Sequence, residues 1–158
     1  MWDRVRREVE FEFSELRKLL AEHNSLLAAV KEPEPDTAIR LALAATLSSF
    51  YTGVENVFRR IGKEIDHWLP SGESWHRDLL LSMTRPTPQR PPVISSELAE
   101  AIRQYLYFRH VFRQGYTFRL QWPKMADIAF RCEDTFGRLA GQVQAFFEAG
   151  PPGPRSAV

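Results

Sequence analysis

The sequence predicts an all-α protein, a helical bundle of about five helices. Three observations carry this. Apolar residues recur at steps of three and four along five separate stretches, the spacing that puts side chains on one face of a helix. Proline, glycine and serine clusters fall between those stretches, where chain breaks are needed. No stretch alternates with the period of two that a half-buried strand shows.

The 158 residues suffice for one domain with a sizeable core, expected over residues 1–148. The first helix is expected over residues 2–30. Trp2, Val5, Val9, Phe13, Leu16, Leu20, His23, Leu27 and Val30 share its apolar face. His23 reads as a satisfied core histidine. Lys31-Glu32-Pro33-Glu34-Pro35 ends that helix, because proline disfavours helical geometry in the residue before it. Asp36 can cap the second helix by accepting backbone N–H bonds. Its apolar face runs from Ile39 through Leu43, Leu47, Phe50, Val54, Val57, Ile61 and Ile65 to Trp68. Gly53 and Gly62 lie within it, each costing about 1 kcal/mol relative to alanine; close packing against another helix is the expected compensation.

Leu69-Pro70-Ser71-Gly72 breaks the chain, and a short third helix follows at about residues 73–83 with Trp75, Leu79, Leu80 and Met83 inward. The proline-rich segment 85–92 reads as an extended connector of polyproline II character. Ser95 or Ser96 caps the fourth helix, which runs to about Arg113 and ends at Gly115. Pro123 suits the first turn of the fifth helix, expected to reach Glu148. Residues 149–158 lack apolar bulk and are expected to be disordered.

The composition excludes several classes. A net charge of +1 dictates no partner by itself. One cysteine, Cys132, allows no disulfide within the chain and no cysteine-based metal site, and its spacing marks it as a small buried hydrophobe. No apolar run approaches the roughly 18 residues of a membrane span. The opening residues run straight into an amphipathic pattern, so no leader is expected and a cytoplasmic location is the default.

Chemistry concentrates in Phe108-Arg109-His110-Val111-Phe112-Arg113-Gln114-Gly115-Tyr116. From Ala101 to Ala126 there is no aspartate or glutamate, while Arg103, Arg109, His110, Arg113, Arg119 and Lys124 fall there among seven aromatic residues. Such a segment can hold RNA phosphates by charge, through Arg103, Arg113 and Arg119 as well as Arg109, and stack on unpaired bases. The bland reading is that the aromatics are core and the arginines pair with acids on other helices. His76, at the start of the short helix, reads as structural, and His67 as a solvated helix-end residue.

Three stretches, in order and at matching spacing, resemble the HepT-like ribonuclease toxins, a branch of the HEPN superfamily of small helical domains. They are residues 50–58 (FYTGVENVF), residues 69–80 (LPSGESWHRDLL) and residues 108–116 (FRHVFRQGY). The resemblance runs from the second helix to the start of the fifth. It implies a metal-independent endoribonuclease, without cofactor, that acts as a homodimer on RNA such as tRNA or mRNA. It implies the signature arginine, four residues, histidine, one residue, tyrosine. Arg109 takes the arginine place and Tyr116 the tyrosine place. Gln114 stands where the histidine belongs, and His110 follows the arginine directly.

In the implied chemistry the 2′-hydroxyl of RNA attacks the adjacent phosphate. Histidine suits proton transfer near neutrality, and the arginine fork suits phosphate. Glutamine cannot take and return a proton. Three readings follow. His110 takes over the acid–base role, with Gln114 orienting; Gln114 positions water or RNA in a slow enzyme relying on Arg109 and Arg113; or the domain is catalytically degenerate and binds RNA or a partner without cleaving. The resemblance also implies a partner, a minimal nucleotidyltransferase (MNT-type) antitoxin that attaches AMP to Tyr116. A third class, a helical adaptor, is favoured if the arginines prove buried against Glu55 or other acids with no open basic cleft.

Overall fold

The computed structural model describes residues 1–31, 33–116 and 120–154. Five α-helices follow in order: α1 (Trp2–Ala28), α2 (Thr37–Ile61), α3 (Trp75–Ser82), α4 (Ser96–Arg113) and α5 (Trp122–Ala149). No strand occurs among the described residues. The expected all-α bundle of five helices is therefore what the chain forms.

Helix α1 buries Val5, Val9, Phe13, Leu16, Leu20 and His23 along one stripe, the face its spacing dictates. It packs chiefly on α2. The approach is close at Gly53, where a Cβ would meet Leu16 Cδ2 at 2.5 Å. The cost of a glycine in mid-helix is thus offset by backbone-to-side-chain packing across the α1–α2 seam. His23 ties three helices together: Nδ1 lies 2.7 Å from Thr46 Oγ1 of α2, and Nε2 lies 2.8 Å from the Ala129 carbonyl of α5. Burial lowers its pKa, which favours the neutral ring. Nε2–H then donates to the carbonyl, and Nδ1 accepts from the threonine hydroxyl.

Helix α2 starts where expected, with Asp36 Oδ1 accepting from the Ile39 N–H at 2.9 Å. Its end differs from expectation. The α-helix gives way at Gly62 to one wide π turn, Gly62–Asp66, and His67 stops it in the left-handed region at φ 53°. Trp68, expected on the apolar face, is instead 50% exposed. The wide turn ends with Ile65 and Asp66 both buried. Asp66 meets Arg90, whose Nε and Nη2 reach its two carboxylate oxygens at 2.7 and 2.8 Å.

Arg90 also corrects the reading of residues 85–92. The segment is not a polyproline stretch but a tight turn in which Thr87 and Arg90 exchange both backbone bonds, at 2.9 and 3.2 Å. A buried charge requires compensating partners, and the loop wraps its carbonyls around this guanidinium. Helix α4 is capped by Ser95 Oγ, accepting from Leu98 N–H at 3.1 Å. Helix α5 begins with proline in its first turn and runs down one side, burying Met125, Ile128, Cys132, Phe136, Leu139, Val143 and Phe146. Burial pushes the Cys132 thiol up, so it is an inert hydrophobe. Of the tail, residues 150–154 carry no helix, and 155–158 lie outside the described residues.

Candidate functional site

The C-terminal half of α4 carries the site. Tyr105 and Phe108 are buried and root this segment in the core, with Tyr105 Oη donating to the Ile128 carbonyl of α5 at 2.8 Å. Burial raises the Tyr105 phenol pKa, so the group stays neutral. Four residues on from Tyr105, on the same flank, comes Arg109.

Arg109 is buried, at 4% exposure. Its guanidinium lies over the Tyr51 ring, 4.6 Å from the centroid, a cation–π arrangement. Its Nη2 donates to Glu55 at 3.2 and 3.4 Å, and its Nη1 to Thr52 Oγ1 at 3.2 Å. Tyr51, Thr52 and Glu55 are neighbours on α2, one helical turn apart. Burial first, then the Glu55 charge, raise the Tyr51 pKa, so that ring also presents a neutral face. The fourth partner comes from α3. His76 Nδ1 sits 2.7 Å from Glu55 Oε2 and 3.1 Å from Arg109 Nη2. Its ring lies against Trp75, tilted by 31° with centroids 3.7 Å apart, and Arg59 lies over Trp75 at 5.4 Å.

The remaining sequence-predicted residues are arranged differently. His110, Arg113, Gln114 and Tyr116 are all exposed at the end of α4. Gln114 Nε2 and His110 Nε2 are 3.3 Å apart, one turn along a single flank. Arg113 stands one turn beyond Arg109 and makes no ion pair among the described residues. Gly115, at φ 86°, ends the helix in a conformation that favours glycine, and Tyr116 follows at 57% exposure. Arg103 does not join them. It pairs with Glu100 at 3.5 Å on another flank of α4, beside a cavity of about 430 Å³ that Tyr107, Phe108, Lys124 and Met125 help to line. Arg119 lies outside the described residues. Among those residues no group of three or more histidine, cysteine, aspartate or glutamate side chains is placed to hold a metal ion.

The condition set for an adaptor is thus met by Arg109, which pairs with Glu55, and not by Arg113. What the sequence reading missed is His76 as a partner of Arg109. Glu55 was the available signal. A carboxylate on the apolar face of α2, between Val54 and Val57, has to find a cation and further donors. Those partners come from α3 and α4, whose packing no local pattern reveals.

No curated protein and no solved structure matches the chain. A family model described as HepT-like protein matches residues 42–149. That span holds α2 nearly whole, α3, α4 and α5, and with them the Arg109 partners Tyr51, Thr52, Glu55 and His76. It leaves out α1, which packs on the far side of α2 through Leu16 and Gly53. The match covers more than half of the chain, with the buried arginine cluster inside it, and the chain belongs to the HepT-like family.

Proposed function

We propose that this chain is the toxin of a HEPN/MNT-type toxin–antitoxin pair, a metal-independent endoribonuclease that works as a cytoplasmic homodimer. No helix among the described residues is long and apolar enough to cross a membrane. The observation that carries the reading is the end of α4. A rigidly held arginine, Arg109, is followed by an exposed cation, Arg113, and an exposed tyrosine, Tyr116, on a turn that Gly115 sets. Arg113 supplies charge to the scissile phosphate. Arg109 fixes the cluster behind it, and His110 with Gln114 offers polar contacts on the adjoining flank. Tyr116 is the acceptor of AMP from a nucleotidyltransferase antitoxin. The added phosphate there brings charge and bulk beside Arg113 and competes with RNA.

The test is cleavage of total RNA and tRNA by the purified chain with EDTA present. Cleavage that survives EDTA and disappears in Arg113→Ala supports the reading. Incubation with a nucleotidyltransferase antitoxin and ATP, followed by mass measurement, checks whether AMP is added to the native chain and not to Tyr116→Phe.

A second reading has its own observation. Gln114 occupies the histidine place of the family signature, and Arg109 is engaged with Glu55 rather than open to solvent. A degenerate domain that binds RNA or a nucleotidyltransferase without cleaving fits both facts. RNA binding without cleavage in the same assay selects it.

A further inference from the structure

Cleavage by 2′-hydroxyl attack needs a group that removes the hydroxyl proton close to the cations that hold the phosphate. Residues 109 and 110 are consecutive on α4, so their side chains leave the helix roughly 100° apart. His110 turns toward Gln114. The histidine in contact with Arg109 belongs to α3: it is His76, 3.1 Å away.

The surroundings of His76 define which nitrogen can work. A carboxylate accepts and does not donate, so the 2.7 Å contact with Glu55 Oε2 puts a proton on Nδ1. Arg109 Nη2, also facing Nδ1, gives its protons to the same carboxylate. In the neutral ring the lone pair is then on Nε2, which makes no hydrogen bond among the described residues. Glu55 and Arg109 are sealed, with side chains 7% and 5% exposed, while the His76 side chain keeps 31%. The imidazole is therefore the outward edge of the cluster. Trp75 holds one ring face, and Arg59 adds a second exposed cation behind it.

The geometry points to His76 as the general base of this site, with Glu55 as the residue that positions it. This rests on the ribonuclease reading. In the step, Nε2 takes the proton of the 2′-hydroxyl, and the 2′-oxygen forms a bond to phosphorus. The bond from phosphorus to the 5′-oxygen breaks. The leaving oxygen takes a proton from water, and His76 later returns its proton to solvent. The products carry a 2′,3′-cyclic phosphate and a 5′-hydroxyl. Arg113, one turn beyond Arg109 on the same side of α4, holds the phosphate during the step.

The experiment follows cleavage of a short RNA by the full chain in EDTA, with product ends determined. Native chain is compared with His76→Ala, His76→Gln, Glu55→Gln, His110→Ala and Gln114→His. The expected result is a fall in kcat of about 10²–10⁴-fold in both His76 variants, with KM nearly unchanged and thermal unfolding still cooperative. Added imidazole restores part of the rate to His76→Ala. Glu55→Gln and His110→Ala lose less than His76→Ala. Native rates in the His76 variants overturn the inference, and so does a loss that imidazole leaves untouched in a folded variant. A silent native chain with cleavage by Gln114→His overturns His76 as the base while sparing the family chemistry. Silence in both overturns the ribonuclease reading itself.

Discussion

Two arginines among the described residues are buried, and both lie against a buried carboxylate. They are held very differently. Arg90 meets Asp66 with two short parallel bonds and gives its remaining N–H groups to the carbonyls of Ser82, Arg85 and Pro91. A guanidinium has five N–H donors, and all five of Arg90 are engaged. Arg109 meets Glu55 at 3.2 and 3.4 Å, shares that carboxylate with a histidine, and makes no hydrogen bond from Nε among the described residues. The histidines divide in the same way. His23 uses both ring nitrogens inside the core, and His76 uses one. Burial and pairing therefore do not by themselves separate a clamp from a site. The separating property is whether donor and acceptor capacity is exhausted.

The sharpest way to break the comparison is at the clamp. Arg90→Ala leaves Asp66 buried without its cation and strips three carbonyls of their donor. A loss of about 3–5 kcal/mol is expected, read as a lower urea midpoint. A smaller loss, under about 1 kcal/mol, means water replaces the guanidinium and the clamp is not the sealed structure described. Arg109→Ala comes next. Glu55 keeps the Nδ1–H of His76, so the expected cost is about 1–3 kcal/mol, less than at Arg90, while RNA cleavage is lost. Equal costs at the two positions erase the distinction.

These two regions also show what was legible in the sequence. Helices α1, α2, α4 and α5 were readable because each carries a continuous apolar stripe, and α2, α4 and α5 also have a capping residue or a proline in the first turn. Asp36, Ser95 and Pro123 mark their starts. The π turn and the Arg90 clamp were not readable. They depend on a contact between residues 66 and 90, and spacing within one element says nothing about partners on another. In the site, Arg109, Arg113 and Tyr116 were found through the motif. The division of that set, with Arg109 sealed, His110 and Gln114 on an adjoining flank and Arg103 away on its own, required the rotation of α4 against α2 and α3. His76 was visible as a residue, but its contact with Arg109 was not.

His23 sharpens the saturated half of the comparison through pH. Burial holds its folded pKa below the ordinary histidine value of 6.5, so the unfolded chain binds the proton more readily. The contribution is fully present above about pH 6.5 and is lost as pH falls toward the folded pKa. Thermal unfolding followed from pH 7.5 to 5.5 is expected to show a steeper drop for the native chain than for His23→Gln. Parallel curves mean that His23 takes up its proton equally in both states and that burial and its two bonds do not resist protonation.

The smallest effect is expected at an exposed histidine of α4. His110 is exposed, and its one side-chain hydrogen bond among the described residues is a 3.3 Å approach to Gln114, one helical turn away. Exposed positions away from caps and buried networks change stability by about 0.5 kcal/mol or less, so His110→Ala should unfold within that margin of the native chain. Its effect on RNA is the informative part. If His110 lines the path of the phosphate backbone beside Arg113, the substitution weakens RNA binding modestly and leaves the 2′,3′-cyclic product unchanged. A loss of cleavage as deep as that of His76→Ala, at full stability, places the proton transfer on the exposed flank of α4. In that case the unsaturated cluster behind Arg109 serves only to hold the arginine, and Arg109 and Arg90 become two versions of one clamp.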